Sequence, residues 1–129
     1  MSLVELGHLK YATMVNNGLI IFQEEYICED SGKTIFAKSF IVKDKAEVEK
    51  IVTALKMYLD DTKKQSMHLG DNRYLYIIKD NLHPNNDKLT LFNTETIIDS
   101  VFVPSRNMVV KGNKNLKNML RLIGSEKEA

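Results

Sequence analysis

Hydrophobic and polar positions alternate along most of this chain, and twice the alternation gives way to a helical period. Leu9 to Val15 reads as extended, and Asn16-Asn17-Gly18 then breaks the apolar run. An Asn-Gly pair between apolar segments signals a hairpin, because its turn needs positive φ. Leu19 to Cys28 follows as a strand, Glu29-Asp30-Ser31-Gly32 as a turn, and Thr34 to Val42 as a third strand. Asp44 opens the clearest helix, with Glu47 three residues later in a capping-box pattern. Val48, Ile51, Val52, Leu55, Tyr58 and Leu59 recur at helical spacing as its buried stripe. Glu47, Lys50, Thr53 and Lys56 fall on the more exposed side.

This helix should fade over Asp60 to Lys64, and Ser66 to Asn72 reads as a loop. Tyr74 to Lys79, Lys88 to Phe92, Thr96 to Val103 and Met108 to Lys111 read as strands. Asn81 to Asp87, with Pro84, breaks the first two apart. A second helix, Asn113 to Ile123, turns Leu116, Met119, Leu120 and Ile123 inward and is expected to stop at Gly124. Residues 125–129 are then a frayed tail.

These elements predict one α+β domain over residues 1–124, with antiparallel sheets packed against two helices. The halves 9–65 and 73–124 share an order of elements, which suggests a tandem βββα duplication. Leu19 to Ile27 lies over Leu89 to Ile97 at an offset of 70, and Ile35 to Ser39 over Val101 to Ser105 at 66. Val42 to Asp44 lies over Val110 to Gly112 at 68, and Lys10-Tyr11 over Arg73-Tyr74. Gapped alignment of any two such units gives a similar pattern. The element order resembles the Whirly, PUR-repeat and related single-strand-binding folds, with the first half one strand short of their four. No diagnostic motif accompanies that resemblance, so it assigns no residues.

Composition narrows the class. With 129 residues, 43% of them hydrophobic, the chain has about the length of one domain and needs no metal or disulfide to build its core. Its single cysteine, Cys28, cannot form an internal bridge, which points to a reducing, cytoplasmic setting or to indifference to redox. No run of about 18 apolar residues predicts a membrane span, and Met1 to Val15 lacks the regions of a signal peptide.

The net charge of +1 conceals two poles. From Met1 to Gly32, Glu5, Glu24, Glu25, Glu29 and Asp30 face only Lys10. From Ser100 to Ser125 there is no acid, while Arg106, Lys111, Lys114, Lys117 and Arg121 are all cationic. Segregation of this kind bears on partners rather than on fold.

Motifs for catalysis are weak. Ser31-Gly32-Lys33-Thr34 imitates the end of a phosphate-binding loop, but Ile27 stands where the first glycine belongs and a strand follows instead of a helix. Glu24 and Glu25 are strand neighbours and point to opposite faces, so they cannot act as an acid/base dyad. Asp60-Asp61 reads as a solvated helix end. His8, His68 and His83 have no ligand spacing, and Cys28 reads as a small core residue. No enzymatic role, cofactor or metal is expected.

Binding is better supported. Lys114, Lys117 and Arg121 make one stripe on the last helix, preceded by Arg106 and Lys111. Tyr74 and Tyr76 share a strand face between Arg73 and Lys79. Cations and aromatics on a sheet are the ingredients of a base-stacking surface. Solvated helix cations and half-buried tyrosines are the ordinary alternative. The expectation is a non-enzymatic binding domain whose candidate residues are Arg73, Tyr74, Tyr76, Lys79, Arg106, Lys111, Lys114, Lys117 and Arg121. Nucleic acid or an acidic protein surface is the expected partner. The alternatives are a homodimeric assembly module with charge-complementary ends, and a binder of a nucleotide-like small ligand.

Overall fold

A computed structural model describes the backbone of residues 3–27, 30–32 and 34–128, and the side chains of these except 25–27, 34–37 and 125–128. Cys28, Glu29 and Lys33 lie outside the described residues, as does the core role expected of the cysteine.

The fold is α+β, a small domain of antiparallel sheets and two helices. The first sheet is a meander of β1 (Val4–Glu5), β2 (Lys10–Val15), β3 (Gly18–Ile27) and β4 (Thr34–Val42). Helix α1 (Lys45–Leu59) follows. The second sheet has the order β10-β7-β6-β5, from β5 (Lys64–Gly70), β6 (Arg73–Ile78), β7 (Lys88–Asn93) and β10 (Arg106–Lys111). Between β7 and β10 a separate hairpin of β8 (Thr96–Ile98) and β9 (Val101–Val103) is inserted, and α2 (Asn113–Glu128) ends the chain.

The turn between β2 and β3 places positive φ at Asn16 and Asn17, not at Gly18. Gly18 pairs with Val15 inside the ladder. A Cβ there would come within 2.4 Å of the Val42 carbonyl oxygen, so glycine is required by close approach.

Helix α1 begins as the sequence predicts. Asp44 accepts from the Glu47 amide at 3.0 Å, and Glu47 Oε1 accepts from the Lys43 amide at 2.9 Å. Val48, Ile51, Val52, Leu55 and Tyr58 are buried, whereas Leu59 is exposed. Glu47 is buried rather than exposed, because its carboxylate also meets Arg73. On α2, Leu116, Met119 and Ile123 are fully buried and Leu120 partly so. The helix passes through Gly124 to Glu128 rather than stopping at the glycine.

Three other expectations need correction. Ser66 to Asn72 is largely strand, not loop: β5 pairs with β6, with a register shift between His68 and Gly70 before the turn at Asp71-Asn72. It escapes a hydrophobic pattern because it is an edge strand with one fully buried side chain, Leu69. Thr96 to Val103 is two strands, not one, folded at Asp99 and Ser100, both at positive φ. The βββα order is in each half ββββα, with β1 supplying the missing strand of the first. A sequence duplication is not confirmed, since the block Ile35 to Ser39 aligns with the inserted hairpin rather than with β10, the last strand of its sheet.

The two sheets and two helices share one core. Ala12, Leu19, Ile21, Phe40 and Val42 from the first sheet join Leu75, Ile77, Leu89, Leu91, Met108 and Val110 from the second around α1 and α2. Each sheet therefore has an inner face toward the helices and an outer face away from them. A buried network ties the layers together. Tyr58 of α1 donates to the Asp87 carboxylate and accepts from Asn113 Nδ2 of α2 at 2.7 Å. Burial first, then the bond to Asp87, pushes the Tyr58 hydroxyl pKa up to about 12. Among the described residues no helix is long and apolar enough to cross a membrane.

Candidate nucleic-acid interface

Strand alternation sorts the candidate residues onto different surfaces. On β6, Arg73, Leu75 and Ile77 point inward, so Tyr74, Tyr76 and Ile78 point outward. Cross-strand register places His68, Tyr74, Phe92 and Asn107 in one row across the outer face of the second sheet. The His68 and Tyr74 rings lie 5.1 Å apart, and the Tyr74 and Phe92 rings 5.5 Å apart and 21° from parallel. The next row is Ser66, Tyr76, Thr90 and Val109, and the last is Lys64, Ile78, Lys88 and Lys111.

This outer face therefore grades from a ring row, through Tyr76, to three lysines. None of its outward positions carries an acid. Both helices pack on the opposite side. The rings of Tyr74, Tyr76 and Phe92 are half-buried, which leaves part of each available. At the Phe92 end, Lys38 of β4 reaches across to donate to Asn107 Oδ1 at 3.1 Å.

The outer face of the first sheet carries a similar ring pair, Tyr11 and Phe22, with centroids 6.0 Å apart. Beside Tyr11 stands Glu5 where the second sheet has His68. The acidic pole of the sequence thus reaches one sheet's outer face, while lysines occupy the other's.

The remaining candidates lie elsewhere. Arg73 is buried on the inner face, paired with Glu47 at 2.5 Å and stacked over Phe40 with its guanidinium carbon 4.8 Å from the ring centre. Gly70 makes room for that pair, since a Cβ there would sit 2.8 Å from Glu47 Oε2. Lys79 is committed to Asp61 at 2.9 Å, the Tyr58 carbonyl at 3.3 Å and the Tyr58 ring. That hydrogen bond holds the Asp61 carboxyl below the usual range. Arg106 is exposed at the inner end of β10. Lys114, Lys117 and Arg121 are exposed on α2, and Arg121 donates to Asn118 Oδ1 at 3.2 Å. Because α2 packs beneath the sheets, its exposed stripe and the outward tyrosines do not form one surface. Lys111 and Lys114 do line a common depression with Lys10 and His8.

The sequence reading overlooked His68, Phe92, Lys64 and Lys88. The alignment of Phe22 with Phe92, and of Tyr11 with Tyr74, was the available signal for the ring pair. His68 and Lys64 were hidden by the loop assignment. Among the described residues no group of three potential metal ligands converges. No protein-family model, curated protein or solved structure matches this chain.

Proposed function

We propose that this protein is a non-enzymatic single-strand nucleic-acid binder that works through the outer face of its second sheet. One observation carries the reading: an aromatic row, His68–Tyr74–Phe92, shares with Lys64, Lys88 and Lys111 a sheet face whose outward strand positions carry no acid. Bases stack on such rings with little sequence preference, and lysines alongside neutralise the backbone. An open, nearly flat sheet suits unpaired bases better than a duplex, whose base faces are already stacked. Lys114, Lys117 and Arg121 lie off this face and lend only general positive potential, while Arg106 borders a depression with Phe92 and Asn107 at its edge.

Fluorescence anisotropy with labelled single-stranded DNA and RNA, and with the matching duplexes, tests it at two salt concentrations. Binding of single strands that weakens with salt supports the reading; no binding at low salt removes it.

A second reading, self-association, is favoured by the β8–β9 hairpin. Ile97, Ile98, Val101 and Phe102 are each more than half exposed, which is unusual for four adjacent apolar side chains on one ribbon. The ribbon is only two strands wide, so it offers free edges to a second copy. Light scattering across a concentration series tests it, and a monomer at every concentration removes it.

A further inference from the structure

We propose that the cleft between β4 and the β8–β9 hairpin binds a phosphate-bearing small molecule of mononucleotide size. The cleft holds about 950 Å³, within the range of small-ligand sites. Its lining includes three cations, Lys43, Arg73 and Arg106, one carboxylate, Asp71, and apolar side chains such as Ile41 and Ile98. An excess of cations beside apolar side chains fits a ligand with an anionic group on a flat, apolar body.

Arg73, Asn93 and Arg106 stand in register across β6, β7 and β10. All three continue the inward-facing alternation of their strands, beyond the end of the apolar core. Flanking strands put the two arginine Cα atoms about 10 Å apart, so both side chains can close on one group between them. The Arg73 side chain is nine-tenths buried. Its Nη1 donates to Glu47, but Nη2 has no hydrogen-bond partner among the described residues. A buried donor without an acceptor is costly; a small turn of the Arg73 side chain toward the cleft that it lines would let a phosphate oxygen satisfy it.

The first sheet supplies a contrast. Its row Lys10–Gln23–Lys38 occupies the corresponding inner end of β2, β3 and β4. There both lysines are spent on β10: Lys10 donates to the Val109 carbonyl and Lys38 to Asn107. Burial, and then Lys38, lowers the Lys10 pKa. Both cation–amide–cation rows border depressions, but among the described residues the Arg73 row is the one that keeps an unmet buried donor. Among the described residues Lys43 Nζ is paired with exposed Asp71 at 2.7 Å, a contact that an anion can displace. The Asn93 amide between the arginines already donates to the Thr94 and Pro104 carbonyls, so the donors left for an anion are the cations, and phosphate suits them better than carboxylate because it offers more acceptor oxygens.

Asn93 and Arg106 of this site also border a depression that reaches Phe92 and Asn107 of the outer face, so the two readings are told apart by ligand and by variant. Titration calorimetry with adenosine 5′-monophosphate, inorganic phosphate and adenosine tests it on the whole chain. Saturable binding of the monophosphate, with adenosine weaker by about tenfold or more, is expected. Arg106→Glu, at an exposed position, should abolish that binding without changing the melting temperature, while Tyr74→Ala leaves it intact. The proposal is overturned if neither phosphate nor the monophosphate binds at millimolar concentration, or if Arg106→Glu binds as well as wild type. It is equally overturned if Arg106→Glu weakens only an oligonucleotide, which would assign Arg106 to the path of a strand.

Discussion

The rings of Tyr74 and Phe92, on neighbouring strands in direct register, stack 5.5 Å apart on the face of the second sheet that the helices leave free. Their partner strands place His68 on one side and Asn107 on the other. Two rows away the same face ends in Lys64, Lys88 and Lys111. Position on a pleated sheet thus joins residues that lie as far apart in sequence as Lys64 and Lys111.

Replacing Lys64, Lys88 and Lys111 together by Gln should weaken binding to all single strands alike. If each lysine neutralises one phosphate, the slope of log affinity against log salt falls by about 2. Anisotropy titrations at four salt concentrations measure it, and an unchanged slope would place the backbone elsewhere.

Glu47 should matter to stability more than its place near a helix start implies. It caps α1 and neutralises buried Arg73. Glu47→Gln leaves that guanidinium without its counter-charge, at an expected cost of about 3–5 kcal/mol. Urea denaturation measures the loss; a change below about 1 kcal/mol, the scale of an exposed pair, would contradict the assignment.

Tyr58 makes stability fall at high pH. Its hydroxyl ionises at about 10 when the chain is unfolded, and at about 12 in the fold. The native state therefore keeps a proton that the unfolded state loses. The stabilisation is full below pH about 10 and is lost as pH rises from there through about 12. Tyr58→Phe removes this dependence and leaves Asp87 short of one donor. Comparing both proteins by denaturation from pH 8 to 11 should show the stability gap narrowing upward.

The β8–β9 hairpin can be tested without touching the core. Ile97→Ser with Phe102→Ser alters two exposed positions, so the melting temperature should hold. If the hairpin joins copies, the variant shifts to the monomer mass in light scattering, and an unshifted mass would clear the hairpin of that role.

Local signals identified much of this architecture. Asp44 and Glu47 announced the start of α1, the buried stripes of both helices followed from spacing, and the asparagines before Gly18 marked a turn. The polar edge strand β5 left no apolar trace, and Asp99-Ser100 carried no glycine to reveal a turn inside Thr96 to Val103. For the candidate site, adjacency in sequence misled. Arg73 and Tyr74 look like a cation beside an aromatic, yet strand alternation sends them to opposite faces. Its alternation with Leu75 and Ile77 already marked Arg73 as inward. The rows that gather Phe92, His68 and the three lysines depend on strand order and register, which a single sequence does not display.

The most direct measurement compares wild type with the Tyr74→Ala, Phe92→Ala double variant for binding a labelled single-stranded oligonucleotide at low salt. Wild type should bind, and the variant should lose about 1–3 kcal/mol per stacked base while its melting temperature stays near that of wild type. A wild-type protein that binds no single strand, or a variant that binds as well as wild type, would contradict the assignment of this face.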